Sequence, residues 1–217
     1  MTTKRAVVFD LDGTLLNTLP DIAAAMNKVL SDRGLPTHPE RAYRLFTGDG
    51  ALNLTKRALG EKHQDRFEEV AAAYAAQYAA NSRVSTAPYP GLPEALQALS
   101  QAGLKLCVLS NKDDEDAKQV VAHYFPGQRF DIVRGRLPHV PIKPDPTALH
   151  EILDSLDLKQ TEVWYVGDTR TDMTCALNAG LERVAVTWGF QTREEIAQVG
   201  ADHYVDDAKQ LVDLLIS

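Results

Sequence analysis

The stretch AVVFDLDGTLL (Ala6–Leu16) ends an apolar run with two carboxylates, Asp10 and Asp12, set against Gly13. Like charges this close repel. Either the pair marks a solvated Asx-type turn, which Asp and Gly favour for local reasons, or something cationic is expected there. Three more polar clusters follow or adjoin apolar runs: Ser110-Asn111-Lys112, Lys143-Pro144-Asp145-Pro146, and Gly167-Asp168 with Asp172. Together they supply carboxylates, a hydroxyl, an amide and a lysine. Such groups can act as nucleophile, general acid, anion clamp or metal ligand. Taken singly, each has a plain structural reading: a loop hydrogen-bonder for Ser110 and Asn111, a solvated charge for Lys143, a helix N-terminus for Asp168 to Asp172.

Four short apolar runs read as strands. AVVF (Ala6–Phe9), LKLCVLS (Leu104–Ser110), VWYVG (Val163–Gly167) and RVAVTW (Arg183–Trp188) are apolar without strict alternation, as strands buried on both faces are. FDIV and HYVD suggest two minor strands. Amphipathic helices lie between the later runs: GLPEALQALSQAG, DPTALHEILDSLD, TRTDMTCALNAG and the terminal DDAKQLVDLLIS. This alternation predicts an α/β fold, an open parallel Rossmann-like sheet with right-handed crossovers. From about Leu16 to Thr86 only helical patterns occur. They predict an inserted helical cap domain over residues 16–85, with the core formed by 1–15 and 86–217. Carboxyl ends of parallel strands converge on one crevice, so the predicted topology brings the four clusters together.

In that order and context the clusters resemble the motifs of the haloacid dehalogenase-like hydrolases, especially phosphatases similar to phosphoglycolate phosphatase. DLDGTL matches the first motif, LSNK the second, the lysine of KPDP the third and GDTRTD the fourth. The resemblance spans essentially the whole chain. It implies that Asp10 is a nucleophile forming an aspartyl-phosphate, and that Asp12 protonates the leaving group and then activates water. It further implies that Ser110 and backbone N–H groups near Leu11 and Asn111 hold phosphoryl oxygens, and that Lys143 neutralises Asp10 and the bound phosphoryl group. By the same resemblance, Asp10, Asp168 and the Asp12 backbone carbonyl would bind a metal, with Asp172 in support. The charge count agrees: four carboxylates against one lysine would repel a phosphate dianion unless a divalent cation joined them. Oxygen-only ligands favour Mg²⁺, and there is no HExxH or His/Cys cluster to suggest zinc.

The segment FTGDGALNLTKRAL resembles the cap loop of phosphoglycolate phosphatases. Gly48 and Gly50 would allow close backbone approach, and Lys56 or Arg57 could pair with a substrate carboxylate; solvated bases at a helix are an equal reading. Where many relatives have Gly-Gly-Asp, this chain has Arg134-Gly135-Arg136, two bases that would favour a more anionic substrate. A pyrophosphatase, a phosphosugar mutase and a non-hydrolytic phospho-aspartate regulatory module remain as alternatives, the last disfavoured by Asp12.

The bulk properties set the outer limits. The 217 residues carry a net charge of −7, and no basic run suggests nucleic-acid binding. Cys107 and Cys175 lie in apolar segments without CxxC spacing and read as free thiols in a reducing compartment. The N-terminal apolar run is too short for a signal-peptide core or a membrane span. The expectation is a cytoplasmic enzyme acting on a small phosphorylated metabolite, away from membranes and with its oligomeric state open.

Overall fold

The computed structural model describes residues 3–217. In chain order the elements are β1 (Ala6–Phe9), β2 (Leu16–Asn17), α1 (Leu19–Ser31), α2 (Tyr43–Phe46), α3 (Gly50–Leu59), α4 (Phe67–Asn81), β3 (Ala87–Pro88), α5 (Leu92–Gln101), β4 (Lys105–Asp113), α6 (Asp114–Tyr124), β5 (Ile132–Arg136), α7 (Thr147–Ser155), β6 (Val163–Gly167), α8 (Arg170–Asn178), β7 (Glu182–Val186), α9 (Arg193–Ile196), β8 (His203–Val205) and α10 (Ala208–Ile216). Two compact units result. Residues up to Leu16 join Pro88–Ser217 in an α/β unit, and Asn17–Ala87 form a helical unit.

The α/β unit is built on one six-stranded sheet in the order β5-β4-β1-β6-β7-β8, with neighbouring strands parallel. Both faces are covered. Val7 and Phe9 pack on one side with Leu96 and Leu99 of α5, Val120 of α6 and Leu211 of α10. Ala6 and Val8 pack on the other with Leu149 and Ile152 of α7 and Cys175 and Ala176 of α8. The period-two split of one short strand between two apolar layers explains its unbroken hydrophobicity. The chain builds outward from β1 through β4 and β5, then returns to the other side of β1 with β6, β7 and β8. The strand order therefore reverses between β1 and β6. Ligand crevices of open α/β sheets form at that switch point, beyond the carboxyl ends of the strands.

Two elements depart from the sequence reading. The acidic run Asp113-Asp114-Glu115-Asp116 begins α6, where carboxylates in the first turn complement the helix dipole. β4 continues past Ser110 to Asp113, and its register against β5 shifts between Leu109 and Asp113. Gly135 sits beside the start of α6. A Cβ there would lie 2.4 Å from the Asp114 Cα, and its N–H donates to Asp114 Oδ1 at 2.9 Å.

The helical unit buries Ile22, Met26, Val29 and Leu30 of α1, Leu54 and Leu59 of α3, and Val70, Tyr74 and Tyr78 of α4. One buried carboxylate ties its two chain ends together. Asp21, in the first turn of α1 and 3% exposed, accepts from the backbone N–H groups of Val84 (3.0 Å), Ser85 (2.8 Å) and Thr86 (2.8 Å), and from Thr86 Oγ1 (2.8 Å). Asp21→Ala strands these donors, each loss being worth about 1–3 kcal/mol where buried. Urea unfolding should show a loss of roughly 2–4 kcal/mol, with a smaller loss for Asp21→Asn, which keeps one acceptor oxygen.

Candidate active site

Asp10 follows β1 directly, its backbone N–H donating to the Val166 carbonyl at 2.9 Å. The next residues leave the sheet in a tight loop. The Leu11 carbonyl accepts from the N–H groups of Thr14, Leu15 and Leu16, and Gly13 donates back to Leu16 at 2.8 Å. Gly13 has φ of +96°, and a Cβ on it would meet Asp168 Oδ2 at 2.2 Å. Glycine is required there on both counts.

The centre of the cluster is Lys143, which is buried. Its ammonium donates to Asp10 Oδ1 (2.6 Å), Asp172 Oδ1 (2.7 Å) and the Leu109 carbonyl (3.1 Å), one acceptor for each of its protons. Asn111 positions this lysine. Its side-chain Nδ2 donates to the Lys143 carbonyl at 3.1 Å, and its Oδ1 accepts from the Lys143 N–H at 2.9 Å. The Asn111 side chain is thus engaged with the lysine loop. Ser110 is buried beside it, and its Oγ accepts from the Lys112 N–H at 3.2 Å.

Asp172 is saturated. Oδ1 accepts from Lys143 and from the Tyr165 hydroxyl at 3.1 Å, while Oδ2 accepts from the Thr169 N–H (3.1 Å) and Thr169 Oγ1 (2.6 Å). Thr169 is the N-cap of α8 in a capping box with Asp172. Asp168 is held differently. Thr14 Oγ1 donates to its Oδ1 at 2.8 Å and the Phe190 N–H to its Oδ2 at 2.7 Å. Gly189 gives it room, since a Cβ there would lie 2.3 Å from the Asp168 Cβ.

Asp10, Asp168 and Asp172 each bring a carboxylate oxygen within 4.8 Å of the others, and all three are buried. Lys143 offsets one of the three charges. Burial and the neighbouring Asp172 push the Asp10 carboxyl up to about 7, even though Lys143 draws it down. Burial, then Asp10 and Asp172, push Asp168 well above the usual carboxylate range. Lys143 is held well above its ordinary value by Asp10 and Asp172, against its own burial. An excess of buried negative charge on oxygen donors alone is what a hard divalent cation would neutralise, so these residues fit Mg²⁺.

Asp12 stands slightly apart. Its Oδ2 forms an ion pair with Lys112 Nζ at 3.1 Å, and its Oδ1 is buried with no hydrogen-bond partner. Arg134 and Arg136 pair with Glu151 and Asp113 respectively, which accounts for the two bases without a substrate anion. In the helical unit Gly48 and Gly50 have φ of +101° and +83°. Arg57 is bound within its own segment, to the Phe46 carbonyl at 3.0 Å and to Asp49, while Lys56 is exposed and lies 5.4 Å from the Phe67 ring centroid. The sequence reading missed Tyr165, Lys112 as a partner of Asp12, and the reach of Thr14 to Asp168. Tyr165 lies mid-strand in an apolar run, where nothing marks a tyrosine as more than core.

Residues 7–186 match the family described as haloacid dehalogenase-like hydrolase. The chain is 34% identical over 219 residues to the phosphoglycolate phosphatase of Rhodospirillum rubrum, covering 97% of this chain and 90% of that one. It is 33% identical over 186 residues to that of Aquifex aeolicus, covering 86% of each. A solved structure described as a predicted phosphoglycolate phosphatase of Haemophilus somnus superposes with a TM-score of 0.91 at 29% identity, covering 99% of both chains. No described helix is long and apolar enough to cross a membrane. The chain belongs to the haloacid dehalogenase-like hydrolases and is an enzyme of the phosphoglycolate phosphatase-like kind.

Proposed function

We propose that the protein is a Mg²⁺-dependent phosphatase that hydrolyses a small phosphorylated metabolite, of which phosphoglycolate is the first candidate, through an aspartyl-phosphate. The observation that carries this reading is the buried Asp10–Lys143–Asp172–Asp168 cluster at the switch point of the sheet. Relatives named phosphoglycolate phosphatase support the substrate class.

In the first step an Asp10 carboxylate oxygen attacks phosphorus. The bond from phosphorus to the ester oxygen breaks, and Asp12 gives its proton to the departing alkoxide. In the second step water attacks the phosphorus of the aspartyl-phosphate. Asp12 takes the proton, and phosphate leaves with Asp10 regenerated. Lys143 neutralises Asp10 and the transferring phosphoryl group, and Ser110 supplies a donor to a phosphoryl oxygen. The Asn111 side chain keeps Lys143 in place, and a backbone N–H near Asn111 donates to the phosphoryl group. Mg²⁺ would be held by Asp10, Asp168 and the Asp12 carbonyl, and supplies neutralisation of the phosphoryl charge. Asp172, with four donors already on its two oxygens, orients Lys143. Gly48, Gly50, Lys56 and Arg57 remain candidates for choosing the leaving group, Lys56 ahead of Arg57 because Arg57 is already paired. The cytoplasm is the proposed location, as two buried free thiols suit a reducing compartment.

Asp10→Asn should lower turnover of phosphoglycolate and p-nitrophenyl phosphate by at least about 10⁴-fold, as loss of a nucleophile does, with the circular dichroism spectrum retained. Activity near wild type, once deamidation is excluded by mass spectrometry, would remove Asp10 from the mechanism.

The metal reading predicts a specific pH dependence. Asp10 rises from 3.8 to about 7 on folding, so the folded metal-free protein favours the protonated carboxyl. That contribution to stability is complete below about pH 4 and is lost as pH rises through about 7. Mg²⁺ replaces the proton, so the increase in Tm on adding Mg²⁺ after EDTA should be larger at pH 8 than at pH 5. At a hundredfold excess over Kd it amounts to about 2.7 kcal/mol, several degrees for a chain of this size. An equal shift at both pH values, or full phosphatase activity in EDTA, would contradict the assignment.

Asp12→Ala should impair an alkyl phosphate more than p-nitrophenyl phosphate, because a nitrophenolate leaves without a proton. With the aryl substrate, a rapid burst should precede a slow steady rate as phosphoenzyme accumulates. Equal losses on both substrates and no trapped phosphoenzyme in an acid quench would make Asp12 a turn residue only.

A further inference from the structure

The two oxygens of Asp12 are treated unequally. Oδ2 meets the ammonium of Lys112 at 3.1 Å, and that lysine side chain is only 7% exposed. Oδ1 is buried and accepts no hydrogen bond. A turn carboxylate at the surface would hydrate both oxygens, and a structural ion pair would satisfy both. Leaving a buried carboxylate oxygen bare costs about 1–3 kcal/mol or more, and such atoms in native folds call for a functional explanation. Burying a lysine is likewise rare without a partner that needs it.

Local backbone explains how the lysine gets there. β4 runs three residues beyond Ser110, and the Lys112 N–H is fixed by Ser110 Oγ at 3.2 Å. Asn111 between them is turned to the Lys143 backbone. Ser110 and Lys112 therefore share one side of an extended segment, and that side carries the lysine to Asp12. Asp12 itself follows the Leu11 turn and precedes Gly13 at φ +96°, a loop that orients the carboxylate less rigidly than a strand would.

We infer that Lys112 is a positioning residue for Asp12: by holding Oδ2 it fixes the carboxylate so that Oδ1 is the oxygen that exchanges the proton with the leaving group and with water. This rests on the proposed role of Asp12 as proton donor and acceptor. It assigns different work to the two lysines, Lys143 serving Asp10 and Lys112 serving Asp12.

The test uses phenyl phosphate and p-nitrophenyl phosphate with the full-length Mg²⁺-loaded enzyme. Lys112→Met keeps the apolar stem and removes the charge. Its kcat on phenyl phosphate, the poorer leaving group, should fall about 30–100-fold, phosphoenzyme formation from p-nitrophenyl phosphate should fall less than about 5-fold, and KM for both should stay within about 3-fold. Lys112→Arg should recover a substantial part of the phenyl phosphate rate. The double variant Asp12→Ala/Lys112→Met should be no slower than Asp12→Ala alone, because a residue that acts through Asp12 has nothing to act on once Asp12 is gone. A further loss in the double variant, or a rise in KM with kcat preserved, would overturn the inference and make Lys112 a direct phosphoryl ligand. Equal loss on both substrates with no recovery in Lys112→Arg would make it structural. If Asp12→Ala by itself shows no leaving-group dependence, the reading of Asp12 has failed first, and this is seen without any Lys112 variant.

Discussion

The α/β unit is organised around a charge imbalance. Three carboxylates are buried within 4.8 Å of one another at the carboxyl ends of β1 and β6, and a single buried ammonium stands among them. Moving a carboxylate out of water costs several kcal/mol even after relaxation. The fold does not lower this cost by spacing the groups apart. Instead it fixes them with neutral donors: Thr14 and the Phe190 N–H on Asp168, Thr169 and Tyr165 on Asp172. Gly13 and Gly189 are then forced by crowding, since a Cβ at either would overlap Asp168. The arrangement is tightly constrained, yet Asp10 and Asp168 are still pushed towards the neutral form, so its own side chains do not offset the buried negative charge.

Within this cluster the degree of satisfaction separates the carboxylates. Asp172 accepts two hydrogen bonds on each oxygen, so its lone pairs are taken up by neighbouring donors. Asp168 accepts one on each oxygen. Asp10 gives Oδ1 to Lys143, and Asp12 keeps Oδ1 bare. Hydrogen-bond satisfaction therefore falls from Asp172, held on every side, to Asp12, with one oxygen left without a partner.

The α/β class was legible because four apolar runs lacked alternation, which in a short strand has one physical cause, burial on both faces. The strand VWYVG was readable to the residue. The motif residues Asp10, Asp168 and Asp172 could be expected to converge because they follow the ends of parallel strands, Lys143 reaches them from the loop after β5, and the structure does bring all four together. What was not legible depended on side-chain direction. α6 was not among the expected helices; its acidic first turn complements the helix dipole. Arg134 and Arg136 looked like unbalanced bases because Glu151 and Asp113, their partners, lie 17 and 23 positions away. Nor was the engagement of the Asn111 side chain with the Lys143 main chain legible, because nothing in SNK indicates it.

That last case follows from the geometry of β4. An extended chain sends consecutive side chains to opposite sides. Ser110 and Lys112 fall on the side of the Asp12 loop, Asn111 on the side of the Lys143 loop. Three adjacent residues can therefore hold two different loops at once, provided the strand stays extended beyond its last regular pairing with β5 at Leu109. The register shift between Leu109 and Asp113 allows this, because β5 rejoins only at Arg136 opposite Asp113. A helix starting directly at Ser110 would have placed 110, 111 and 112 about a third of a turn apart each, and the Asp12 and Lys143 loops could not then have been held from one short segment.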